Sequence, residues 1–216
     1  MEKYKRLREN RLPPKKIHSD FFLPLSANML LKDPLVWVDC EMTGLGSEHH
    51  RLLEIAVIVT DGSLEQVIRG PEFIIHQPAE VLDQMNEWCK NQFGWRNAGN
   101  FDEGNLAAKS LKSLVTEAEA ERQILDFLTP IVPEKKGVLA GNSVHADKAF
   151  LDKFMPKFMA YLHYRIVDVS TIKELGFRWK PEIMQGLKKK GKHRAMEDIK
   201  ESIAELLLYK AEFFKS

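Results

Sequence analysis

The order in which strand-like and helix-like segments succeed one another constrains this chain most. Apolar, β-prone runs crowd its opening. Leu35-Val36-Trp37-Val38 is closed by Thr43-Gly44-Leu45-Gly46, and Leu52 to Thr60 by the turn pair Asp61-Gly62. Gln66 to Ile68 and Phe73-Ile74-Ile75 read as a continuing antiparallel strand broken at Gly70-Pro71, so the start resembles a β-meander. Helical spacing then takes over. Val81 to Cys89 puts Val81, Leu82, Met85, Trp88 and Cys89 on one helical stripe. Thr116-Glu117-Ala118-Glu119 has the form of a capping box, opening a helix that ends near Thr129, before Pro130. Val138-Leu139-Ala140 reads as a short buried strand, Ala146 to Met155 as a helix, and Arg165 to Val169 as another strand. A last helix, Ala195 to Phe214, carries Ile199, Ile203, Leu206 and Phe213 at core spacing. Strands first, then alternating helix and strand, predict an α/β fold with a mixed sheet and helices on its faces. Gly94 to Asn105, rich in Gly and Asn, reads as a surface loop.

The 216 residues suffice for one large domain with a single core. No internal repeat or second linker divides them, so residues 34–216 are expected to form that domain. Residues 1–33 carry eight Lys or Arg against four acids, with Pro13 and Pro14 among them, and read as a basic, partly flexible extension. They lack the apolar centre of a secretory signal, and Glu2 and Glu9 are poor for a mitochondrial transit peptide. A net charge of +1 lacks the basic surplus of proteins that grip long nucleic acids through counterion release. Any nucleic-acid ligand is therefore expected to be short. Cys40 and Cys89 form neither a disulfide framework nor a zinc-site spacing, which favours a reducing compartment. No apolar run approaches the roughly 20 residues of a membrane span, so no membrane association is expected.

Three groups of residues carry candidate chemistry. In Asp39-Cys40-Glu41 the two acids sit at i and i+2 near a strand end, so both carboxylates face the same way. Asp147 follows the strand Val138 to Ala140, and strand ends are where ligands collect in such folds. Asp198 lies five residues after His193. On a continuous helix that separation is about 140° of rotation. His193 is therefore expected in the loop before the helix, with Asp198 pointing inward from the first turn. Singly, each acid has an ordinary reading: an acidic turn, or a helix-opening Asp complementing the dipole. Together they suit two divalent ions about 4 Å apart, which activate water and stabilise a leaving 3′ oxygen. A His near neutral pKa can take the proton from that water.

Asp-x-Glu, then Asp, then His-x4-Asp resembles the DEDDh branch of the exonuclease superfamily, and the likeness to its oligoribonuclease family is closer still. Trp37 to Leu45 is similar to that family's first motif. Ala140 to Ser143, Asp147, Phe150-Leu151 and Tyr164 to Thr171 are similar to its central block, and His193 to Ile199 to its third. The resemblance covers about Leu35 to Phe214. It implies a ribonuclease-H-like fold with a five-stranded mixed sheet, a homodimer, and 3′→5′ hydrolysis of RNA a few nucleotides long, dinucleotides above all. Asp39, Glu41, Asp147 and Asp198 would hold two Mg²⁺ or Mn²⁺ ions, and His193 would be the general base.

The resemblance further implies that Leu45 wedges between two bases while Trp88 stacks on one, Thr43 adding a substrate contact. Ser143, Tyr164, Arg165 and Ser170 would close around the 5′ phosphate, some of them from the partner subunit, and Tyr164 is a possible active-site residue. Arg suits that role because its planar fork binds phosphate bidentately. Asp168 reads as a strand-to-helix cap, and Glu54 as a hydrogen-bonded structural acid. Two departures stand out: the His often found near the position of Phe93 is absent, and the Gly94 to Asn105 loop looks longer than the bacterial form. The compartment is expected to be intracellular, mitochondrial or cytoplasmic, with a nuclear one as alternative. A DNA proofreading exonuclease and a non-catalytic RNA-binding module on the same scaffold are the rival readings. The first lacks a strongly basic surface here, and the second usually loses a metal-binding acid.

Overall fold

Every residue of Leu52–Thr60 is buried, which a strand achieves only with cover on both faces and neighbours on both edges. In the computed structural model, which describes residues 30–95, 102, 104–184 and 194–214, this segment is the second strand of a five-stranded sheet. The strands are β1 (Leu35–Met42), β2 (Leu52–Thr60), β3 (Val67–Ile74), β4 (Val138–Gly141) and β5 (His163–Asp168), in the spatial order β3-β2-β1-β4-β5. β1, β2 and β3 pair antiparallel, whereas β1, β4 and β5 run parallel. The sheet is mixed, as the sequence predicts.

The helices are α1 (Ala79–Asp83), α2 (Glu87–Phe93), α3 (Leu106–Lys112), α4 (Glu117–Leu128), α5 (His145–Phe154), α6 (Pro156–Tyr161), α7 (Val169–Trp179), α8 (Pro181–Met184) and α9 (Ala195–Phe213). Period-2 alternation along β1 divides the core between two layers. Val36, Val38 and Cys40 join Ile124, Leu128, Phe150, Leu151 and Phe158 of α4, α5 and α6. Trp37 joins Ala56, Ile58, Val169, Ile199, Ile203 and Tyr209 on the side of α7 and α9. Each fully buried Leu, Ile or Phe contributes roughly 1.5–3 kcal/mol. Asp39 and Glu41 share the parity of Trp37, so they leave the strand end on the α9 side.

Four local expectations need correction. β3 runs unbroken through Gly70 and Pro71. It is an outer strand, where the missing proline N–H costs no ladder bond, and a register shift opposite Ala56 and Ile58 absorbs the irregularity. The single helix expected over Val81 to Cys89 is two, α1 and α2. Asn86 interrupts it by accepting a hydrogen bond from the Cys89 N–H at 2.8 Å, which caps α2. The interruption resets the helical phase, so Leu82, Met85 and Cys89 are buried while Trp88 is 60% exposed. The expected surface loop begins in the core: Gly94 ends α2 at φ 68°, and fully buried Trp95 donates from its indole N–H to Asp83 at 2.6 Å. Helices α3, α6 and α8 lie where the sequence reading names none, and α7 follows the strand-to-helix cap expected at Asp168. The capping box is half realised, Thr116 accepting from the Glu119 N–H at 3.2 Å.

Candidate active site

The parallel trio β1-β4-β5 ends beside the antiparallel pair, and the predicted acids gather at that edge. Oxygens of Asp39, Glu41 and Asp198 lie within 4.8 Å of one another. Asp39 and Glu41 come from the end of β1 and Asp198 from the first turn of α9. Asp147 approaches from the opposite layer, in the first turn of α5. It accepts a hydrogen bond at 2.9 Å from the backbone N–H of Cys40, between the two β1 acids. All four acids therefore converge on one strand end. Three of them form the tight group, and Asp147 is tied to its backbone.

This crowding strains the charges. Burial, followed by the negative charges of Glu54, Asp198 and Asp147, pushes the Glu41 carboxyl up to about 8, with Arg194 pulling it down. Burial pushes Asp147 up to about 7, although the Cys40 N–H favours its ionised form. Burial first, then the Asp147, Asp39 and Glu41 charges, push the Cys40 thiol well up, so it stays a thiol. An all-oxygen cluster whose members crowd one another with negative charge fits a hard divalent cation. Asp39, Glu41 and Asp198 could hold one directly, and Asp147 could complete a second position.

The remaining predicted residues are placed as follows. Leu45 is 83% exposed at the tip of the turn after β1. Thr43 is buried: its hydroxyl accepts from the Arg51 N–H at 3.0 Å and meets His50 Nδ1 at 3.3 Å, so the side chain braces that turn. Trp88 is exposed on α2 beside Cys89, whose thiol is raised by burial and then by the charge of Glu41. Asp168 caps α7 as predicted and gathers three groups, accepting from the N–H of Ser143 at 2.8 Å, the N–H of Ser170 at 3.0 Å and the hydroxyl of Ser170 at 2.7 Å. It thereby joins the β4 and β5 exits and fixes Ser143 at φ 58°. Tyr164 and Arg165 are exposed on outer strand β5, with the guanidinium 5.2 Å from the centre of the Tyr164 ring. His193 lies outside the described residues, as does the proposed extension up to residue 29.

The sequence reading passed over Arg194, whose guanidinium pairs with Glu54 at 2.9 Å. Its signal was available: a buried acid inside an apolar strand requires a partner. Among the described residues no helix is long and apolar enough to cross a membrane.

Comparison with known proteins agrees with this geometry. The sequence pattern of the RNase T family, described as exonuclease, matches residues 36–206. An oligoribonuclease of Marinobacter nauticus is 45% identical over 183 residues, covering 85% of this chain and 97% of that one. The Haemophilus influenzae oligoribonuclease is 46% identical over 184 residues, covering 85% and 97%. Among solved structures, a zinc-bound E. coli exonuclease I complex with single-stranded DNA superimposes with a TM-score of 0.61 at 17% identity, covering 84% of this chain. The chain spans about two fifths of that protein's length, 41%. The likeness is of fold, and the fold is ribonuclease-H-like.

Proposed function

The chain belongs to the exonuclease family as a 3′→5′ exoribonuclease, and on that premise we propose that it trims RNA fragments of a few nucleotides, dinucleotides above all, to 5′-mononucleotides. Asp39, Glu41, Asp147 and Asp198 hold two divalent cations, Mg²⁺ or Mn²⁺, and His193 is the general base. The observation that carries this reading is the convergence of Asp39, Glu41 and Asp198 oxygens within 4.8 Å. When bound, such cations supply an activated water and stabilisation for the leaving oxygen. Water attacks the terminal phosphorus, the P–O3′ bond breaks, and the released nucleotide keeps its 5′ phosphate. The water proton passes to His193, and the departing 3′ oxygen takes a proton from solvent.

The exposed side chains of Leu45 and Trp88 support a wedge and a stacking platform, and stacking tolerates any base. Ser143, Tyr164, Arg165 and Ser170 form the 5′-phosphate cap, completed by the partner subunit of a homodimer. Such a cap limits substrate length, because a longer strand would have to pass through it. Thr43 contributes by shaping the turn that carries Leu45. Residues 1–33 are the extension to a domain of residues 34–216. Two free, buried cysteines fit a reducing, intracellular compartment, whether mitochondrial, cytoplasmic or nuclear.

The test is a comparison of turnover on a two-nucleotide RNA, a long RNA and single-stranded DNA. The RNA dinucleotide should be hydrolysed fastest, and faster turnover of either long substrate would refute the short-RNA reading. Asp147→Asn and His193→Ala should each remove most hydrolysis with the fold intact, His193→Ala by at least about a hundredfold. Near-normal rates in either variant would contradict its role and favour a non-catalytic RNA-binding module.

A further inference from the structure

Glu54 has no part in the chemistry described above, yet it sits beside it. In the β1–β2 register it lies directly opposite Glu41, so the two carboxylates share one face of the sheet. Like charges in that relation repel, and Glu54 is fully buried. Its compensation comes from 140 residues away. Arg194 Nη2 donates to Glu54 Oε1 at 2.9 Å, and the Ala195 N–H approaches Glu54 Oε2 at 3.4 Å. The same guanidinium nitrogen lies 3.7 Å from Glu72 on β3. The Arg194 backbone N–H, meanwhile, donates to Asp198 Oδ2 at 3.2 Å. One residue thus grips β2 and β3 through its side chain and an acid of the cluster through its amide.

We propose that Glu54 and Arg194 are positioning residues: their pair seats the start of α9 on the sheet and so sets the Asp198 carboxylate against Asp39 and Glu41. This rests on the metal-holding reading of those acids. Asp198 is carried by α9 and not by a strand of the sheet, so the strand ends alone do not fix where its carboxylate lands. The Glu54 anchor supplies a point on the sheet next to Glu41. A single guanidinium nitrogen, Nη2, faces both Glu54 and Glu72, so the pair holds β2 and β3 at one point.

Position and charge make opposite demands on metal binding, which makes the idea testable. If Arg194 acted only as a nearby positive charge, removing it would tighten the binding of a dication. A positioning role requires looser binding, because Asp198 loses its seat. Mn²⁺ binding to the full chain, without RNA, should be measured by calorimetry for Arg194→Ala, Glu54→Gln and the double variant. Circular dichroism confirms the fold of each.

Arg194→Ala should weaken Mn²⁺ binding about ten- to a hundredfold, as loss of groups that orient metal ligands does. The double variant should be no worse than the weaker single, since the two act as one unit. On an RNA dinucleotide at saturating Mn²⁺, kcat should fall in Arg194→Ala while KM holds. Unchanged or tighter Mn²⁺ binding, additive losses, or a raised KM would each overturn the proposal. Should Glu54→Gln fail to fold, half-exposed Arg194 still decides. An Asp198→Asn control separates the two levels of inference. If wild-type binding does not depend on Asp198, the metal reading and this one fall together. If it does, but Arg194→Ala binds normally, only the positioning role falls.

Discussion

Glu41 is the residue whose surroundings say most about what the site requires. Burial first, then the negative charges of Glu54, Asp198 and Asp147, push its carboxyl up to about 8, against the pull of Arg194. The folded protein therefore holds a proton there that the unfolded chain has already lost above the ordinary carboxylate range. Stability without metal should fall as pH rises from about 4.5 to 8, because the unfolded state binds fewer protons throughout that window. Mg²⁺ or Mn²⁺ should reverse this trend, raising the melting temperature more at pH 8 than at pH 6, since ligation requires the ionised acids. Melting curves with metal and with chelator check it, and a metal effect greater at pH 6 would count against the assignment. At this scale the sequence was informative where chemistry is carried by order along the chain, as with Asp39, Glu41, Asp147 and Asp198. It signalled that Glu54 needs a partner but not that the partner is Arg194, which is distant in sequence and pairs with it only after folding.

Helices and strands show where local patterns suffice and where they do not. β1 and β2 were legible as apolar, β-prone runs closed by turn residues, and the core of α9 because its helical spacing persists over many residues. The break between α1 and α2 was not, since Asn86 as a cap competes with an apolar spacing that continues across it. The start of α7 was legible in Asp168 as a strand-to-helix cap, but not that the same capping oxygen also serves Ser143 from another loop. Two element-scale variants test these junctions. A Cβ on Gly141 would lie 2.8 Å from the Val38 carbonyl and 2.9 Å from Val144, so Gly141→Ala should wedge β4 from β1. The expected loss is about 1–3 kcal/mol in denaturant unfolding. Asp168→Ala should cost about 0.5–2 kcal/mol as a lost cap. It should also lower dinucleotide turnover by releasing Ser143 and Ser170, and an unchanged turnover would detach that junction from the substrate.

For the whole molecule, the two outer strands behave differently. β3 is irregular and carries Pro71, whereas β5 presents exposed Tyr164, Arg165 and Ile166. The proposed homodimer predicts sedimentation at twice the chain mass. Ile166→Lys should shift the protein toward monomer and slow dinucleotide hydrolysis in parallel, and a fully active monomer would overturn the shared cap. Composition led to the expectation of one large domain, whereas the proposed dimer came only from the resemblance, because no periodicity marks the side chains it would use. The site is also a long-range object: its acids run from Asp39 on the first strand to Asp198 on the last helix. Because Asp39 and Glu41 precede most of the fold and Asp198 follows it, the cluster is assembled by tertiary structure alone, and any event that lets α9 peel from the sheet dismantles it.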